Sequence, residues 1–245
     1  MELQLLTSLT SLPIINLTDS LPVNKNYTWA ELCGVRDPNK LTTIVIHHDA
    51  LEKGKYANLS DTELASRIAT GHIDKTGDHA KGEPGNPYHV WVRNGQAYQI
   101  NNLLDFTYGV PSNNGYTVHV CVSGEYRYAD TITDADYNML CTAIVSLLQF
   151  EQLPNLKIIK GHREMSPTVC PGIDLSKLRA DVQNIQHWLE GNNLWDRKKE
   201  KIEFMGKQFK FLNENLKKGE NDGLSQWAMY VYMDVYDYMK EKKYL

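Results

Sequence analysis

Two side chains able to bind a metal stand eight residues apart in Gly161-His162-Arg163-Glu164-Met165-Ser166-Pro167-Thr168-Val169-Cys170-Pro171-Gly172. Imidazole and thiolate are both good zinc ligands, but two ligands do not make a site. Prolines and glycines punctuate the stretch, which reads as a stiffened loop and not a helix. It leaves the end of Leu156-Lys157-Ile158-Ile159, a short apolar run that reads as a strand, so both side chains can be aimed at one point. A third ligand must come from elsewhere. The β-branched run Leu41-Thr42-Thr43-Ile44-Val45-Ile46 ends in His47-His48. With a period of two, Val45 and His47 share one face and Ile44, Ile46 and His48 share the other, so one histidine points where its neighbour cannot. Spacing alone leaves two readings standing: a metal site, or separate core and loop residues.

The elements that must position these groups are legible around them. Ser60-Asp61-Thr62-Glu63 has the pattern of a capping box and opens a helix to about His72. Leu64, Ile68 and His72 share one face of it, which makes His72 either a core histidine or a wall of a groove. Gly71 to Pro87 is a loop, in which His79 is solvated. Tyr88 to Val92 and Ala97 to Ile100 flank Asn94-Gly95 and predict a hairpin, with Tyr88, Val90 and Val92 on one face and His89 and Trp91 on the other. Val118 to Val122 is the next strand; alternation puts His119 opposite Val118 and Val120, and it is not counted as a ligand. Thr133 caps a helix running to about Gln152, stopped before Pro154. A last stripe, Leu175, Leu178, Val182, Ile185 and Leu189, predicts a helix ended by Gly191, with His187 on its outer side. Residues 1–40 read as an irregular N-terminal extension with one short helix near Trp29.

Composition narrows the classes. The chain has 245 residues, 42% hydrophobic and 23% charged, with a net charge of −4. These values suit a soluble globular domain with a small appendage. The acidic balance, with no basic stripe and no Gly-rich phosphate loop, argues against a nucleic-acid partner. No long uninterrupted apolar run predicts a transmembrane segment. Met1 to Thr18 lacks a basic region and does not read as a secretory signal. Of the four cysteines, Cys33, Cys121, Cys141 and Cys170, none has a paired spacing. Cys121 and Cys141 sit in apolar patterns and read as core.

Ile46-His47-His48 after a strand, Pro87-Tyr88-His89-Val90 before Asn94-Gly95, and Gly161-His162-Arg163 through Cys170-Pro171-Gly172 resemble the type 2 N-acetylmuramoyl-L-alanine amidases. That family includes phage lysozyme-type amidases and is similar to animal peptidoglycan recognition proteins. The resemblance covers roughly Leu41 to Leu189 and implies an α/β fold, a central mixed β-sheet flanked by helices. It implies a Zn2+ site with ligands His47, His162 and Cys170. Three protein ligands leave a fourth position open, as in catalytic zinc sites. The implied reaction is hydrolysis of the amide joining N-acetylmuramic acid to L-alanine in bacterial peptidoglycan. The resemblance assigns catalysis to Tyr88 and Thr168 and makes His48 and His72 groove residues. The proton acceptor stays open among Tyr88, His48 and His72. Two features of relatives are missing: a loop histidine before the Val118 strand, and a glutamate where Cys121 stands.

The resemblance makes the chain a phage or prophage lysin, made without a signal peptide and acting on the wall after lysis-related release or from a virion. Two alternatives are a catalytically silent peptidoglycan-binding module and a virion-associated structural protein with an accessory amidase. The expected domains are 1–40, the N-terminal extension; 41–191, the zinc amidase domain; and 195–245, a C-terminal appendage. Residues 195–245 carry 11 Lys and Arg against 9 Asp and Glu. They predict a hairpin over Lys201 to Phe211 and an aromatic-rich helix over Ser225 to Lys243, for self-association or for anionic cell-wall polymers.

Overall fold

The β-branched run before His47 forms β2, Thr43–His48, and all six of its residues are buried. A strand buried on both faces belongs at the centre of a parallel arrangement, and that is its place in this computed structural model. It describes residues 1–75, 81–195 and 240. A six-stranded mixed sheet contains β1 (Ile15–Asn16), β2, β3 (Val90–Arg93), β4 (Gln96–Gln99), β5 (Thr117–Val122) and β6 (Ile158–Gly161). Their order is β1-β4-β3-β5-β2-β6. Only the β3–β4 hairpin is antiparallel; β2 runs parallel to both β5 and β6. The fold class is the expected α/β sheet flanked by helices.

The helices are α1 (Trp29–Cys33), α2 (Asp61–Ile73), α3 (Asp134–Leu148) and α4 (Leu175–Trp195). Both reciprocal bonds of the Ser60/Glu63 capping box are made at α2, and Thr133 accepts from the Asp136 amide at α3. Leu64 and Ala65 of α2 pack with Trp91, Tyr98 and Cys121 of the sheet. Packed on β3, β4 and β5, α3 is buried along most of its length. Trp91 pairs with Cys121 and Cys121 with His47. These three therefore lie side by side on the face that α2 covers.

Four details differ from the sequence reading. The N-terminal arm is not wholly irregular: β1 pairs with the edge strand β4, and Leu3, Leu17 and Leu21 are buried. A two-residue strand is too short to leave a period, and its partner supplies the signal. Leaving Tyr88 ahead of it, β3 begins at Val90, so Tyr88 packs on the Trp91–Cys121 cluster and does not alternate with Val90. Helix α3 ends at Leu148, capped by Gln149. Helix α4 runs through Gly191 to Trp195; a helical glycine costs only about 1 kcal/mol relative to alanine and is not an obligatory stop.

The chain divides into two compact units, Met1–Asn184 and Ile185–Leu245. The first contains the whole sheet and every residue of the site below. In the second, the structure describes the last turns of α4 and residue 240. His79, the hairpin expected over 201–211 and the helix expected over 225–243 lie outside the described residues, residue 240 of that helix excepted. Among the described residues, no helix is long and apolar enough to cross a membrane.

Candidate metal centre

His47, His162 and Cys170 converge. Their ligand atoms lie within 4.8 Å of one another, and no other such group of His, Cys, Asp or Glu is found among the described residues. The two imidazole rings are 4.8 Å apart between centroids, and Cys170 Sγ is 3.9 Å from His47 Nδ1. Zinc bonds of about 2.1 Å to nitrogen and 2.3 Å to sulfur, at tetrahedral angles, put N and S about 3.6 Å apart. The donor set and its spacing therefore fit a zinc ion with small closing movements.

Each ligand is placed by a local device. His47 is the penultimate residue of β2, on the face shared with Cys121, and is 2% exposed. His162 follows β6 directly, in a short 3-10 turn. The loop from His162 to Cys170 is tied across its mouth by the Arg163 amide donating to the Cys170 carbonyl, 2.8 Å. Glu164 accepts from the Gly161 amide and forms a two-point ion pair with Arg179 of α4. Gly161 lets the Leu175 side chain pack close: a Cβ there would lie 2.3 Å from Leu175 Cδ1 and would make that side chain shift. A cis peptide bond joins Cys170 to Pro171.

Burial sets the protonation states. It holds the His47 pKa well below the usual histidine value, reinforced by His119, His162 and His48. Burial also lowers that of His162. Both are therefore neutral, the form that ligates a metal. Burial pushes the Cys170 thiol up to about 11, while the His48 amide and the nearby Arg127 pull the other way. The His48 amide donates to Cys170 Sγ at 3.4 Å, a contact that a thiolate strengthens.

The remaining sequence-derived residues fall into place unevenly. The half-buried Tyr88 ring is 5.4 Å from the His47 ring and packs on the cluster that contains Cys121. Thr168 is half-buried beside Cys170, whose amide donates to its Oγ1 at 3.2 Å; its own hydroxyl hydrogen is left to donate elsewhere. His48 is buried on the opposite face of β2. Its Nδ1 accepts from the Tyr126 amide at 3.4 Å and lies 3.9 Å from Glu125. His72 pairs with Glu83 at 2.7 Å, and Lys75 joins the same carboxylate; neither brings it to the three ligands.

Two groups were not singled out from the sequence. His119, set aside as a ligand, lies outside the converging trio but 3.1 Å from His47 Nε2. The signal that finds it is the parallel register of β2 and β5, which pairs Val45 with His119 and is invisible in either strand alone. Asp49 is a half-buried carboxylate whose pKa is raised by desolvation. It accepts from Trp91 Nε1 and from the Leu51 and Gly124 amides. A separate cavity of about 330 Å³, between the N-terminal arm and the Ile100–Asp105 segment, is lined by none of these groups.

A family model described as N-acetylmuramoyl-L-alanine amidase matches residues 37–173. Among solved structures, the chain is similar to the endolysin N-acetylmuramoyl-L-alanine amidase LysCS from Clostridium intestinale. They share 19% identity over 69% of this chain and 95% of that one, with a TM-score of 0.51. It is also similar to peptidoglycan recognition protein-LE, solved in complex with tracheal cytotoxin, a monomeric diaminopimelic acid-type peptidoglycan. Identity there is 16%, over 65% of this chain and 87% of that one, with a TM-score of 0.51. Drosophila PGRP-LB gives 16% identity over the same shares, 65% and 87%, and a TM-score of 0.50. At these identities the likeness is one of fold. No curated protein matches the chain in sequence.

Proposed function

The chain belongs to the N-acetylmuramoyl-L-alanine amidase family, and on that premise we propose that it is a zinc-dependent amidase. It hydrolyses the bond between N-acetylmuramic acid and L-alanine in bacterial peptidoglycan. The observation that carries this reading is the convergence of two neutral imidazoles and one thiol from three separate segments. Ligand sets of this kind, with three protein donors, belong to catalytic zinc sites, whereas structural zinc usually takes four. When bound, zinc supplies Lewis-acid polarisation and a water of lowered pKa.

The protein's own groups do the rest. His47, His162 and Cys170 hold the ion. Tyr88, packed against the His47 ring, uses its hydroxyl to orient the attacking water or to donate to the developing oxyanion. Thr168 donates its free hydroxyl hydrogen to the same oxyanion. His48 holds the base of the thiolate through its amide, and His72 with Glu83 forms part of a groove wall. We further read the chain as a phage or prophage lysin that acts on the wall after release, or from a virion. Residues 195–245 serve wall binding or self-association in this reading.

Metal analysis of the purified protein, paired with mass spectrometry of digested peptidoglycan, tests the proposal. One zinc per chain and new N-terminal alanine on the released peptides are expected. A metal-free protein that binds walls and releases no peptide would instead make it a silent binding module.

A further inference from the structure

His119 is fully buried and has no part in the reaction just described, yet both of its ring nitrogens are engaged. Its Nδ1 is 3.1 Å from His47 Nε2, and its Nε2 is 3.2 Å from the Thr117 hydroxyl. Thr117 is itself fully buried, and its hydroxyl donates to the Asn113 carbonyl at 2.9 Å. The ring is held in place as well as bonded. The His119 amide donates to His89 Nδ1 at 3.0 Å, and a Cβ on Gly109 would lie 2.5 Å from the His119 ring.

The direction of this chain is not free. A carbonyl oxygen only accepts, so the single Thr117 hydroxyl hydrogen is committed to Asn113. The hydroxyl oxygen must then accept from His119 Nε2–H. A neutral imidazole carries one hydrogen, so His119 Nδ1 accepts, and its donor is His47 Nε2–H. His47 Nδ1, the atom 3.9 Å from Cys170 Sγ, is left with its lone pair facing the site. Reversing the chain would put a hydrogen on His47 Nδ1, where it blocks ligation, and would ask Thr117 for two hydrogens.

We propose that Thr117 and His119 are positioning residues that fix His47 in the Nε2–H tautomer through a three-bond chain ending on the Asn113 carbonyl. The metal-free site is thereby already set to ligate through Nδ1. The consequence for zinc rests on reading His47, His162 and Cys170 as the metal site; the tautomer itself does not. Partners that orient a ligating histidine typically change metal affinity by about 10- to 100-fold.

The test uses the zinc-free, full-length protein. Ring nitrogen shifts measured by NMR are expected to report protonated Nε2 and bare Nδ1 at His47. Thr117→Val keeps the volume but removes the acceptor for His119; it should mix or invert the His47 tautomer and weaken zinc by about 10- to 100-fold in competition with a chelator. Thr117→Ser should restore both readings, and His119→Asn, which places an amide oxygen near the Nδ1 position, should keep the His47 tautomer. The inference is overturned by protonated Nδ1 at His47 in the wild type, or by a folded Thr117→Val protein with unchanged tautomer and affinity. A wild type that shows the expected tautomer and binds no zinc would sink the metal site and leave the positioning chain standing.

Discussion

Cys170 shows how much the environment of one residue decides. Burial holds its thiol protonated at neutral pH, with the pKa pushed up to about 11, so a metal must displace a proton to bind there. His47 and His162, lowered by burial, have no proton to lose at pH 7. Zinc affinity should therefore rise with pH between 7 and 10, by up to about tenfold per unit for the single proton released; chelator competition across that range measures it, and a flat profile removes Cys170 from the ligand set. Cys170→Ser is expected to abolish hydrolysis and to lower zinc content, read as new N-terminal alanine from purified walls and as bound metal. Tyr88→Phe should keep its zinc and lose turnover, on the order of 100-fold if the hydroxyl serves the oxyanion. An unchanged kcat would take Tyr88 out of the mechanism. These residues were legible because their types are chemically distinctive. His119 was not, since a histidine within a strand says nothing about its neighbour in the next strand.

At the scale of elements, the site depends on how tightly the loop after β6 is held. Glu164 bridges the Gly161 amide and Arg179. The Arg179 guanidinium holds the Glu164 carboxyl down at about 2, helped by that amide. A depressed carboxylate adds stability that is complete above its unfolded pKa, near 4.5, and is lost as pH falls towards 2. Because the pair is about one-third exposed, solvent screening keeps its contribution within about 1 kcal/mol. Glu164→Gln should accordingly lower the thermal midpoint at pH 7 and converge with the wild type near pH 2. Elements of this kind are written locally: the Ser60 and Thr133 caps and the Asn94-Gly95 turn need only neighbours in sequence to act. Boundaries were less legible where the stop signal is weak, as at Gly191 inside α4, since a helical glycine costs only about 1 kcal/mol relative to alanine.

For the molecule as a whole, the Met1–Asn184 unit holds the sheet, all three metal-binding side chains and the Thr117–His119–His47 chain. Deletion of residues 196–245 is expected to leave hydrolysis of soluble muropeptides intact and to weaken binding to whole walls, measured by sedimentation with purified sacculi. Loss of self-association with unchanged wall binding would instead assign that segment to docking. The sequence by itself determined the family, the sheet-and-helix class and the identity of the chemical groups, because residue types, caps and turns act over a few bonds. Only the tertiary structure decided which nitrogen of His47 faces the site. That follows from the registers of parallel strands and from a threonine 70 positions away, brought into line by packing that no single segment encodes.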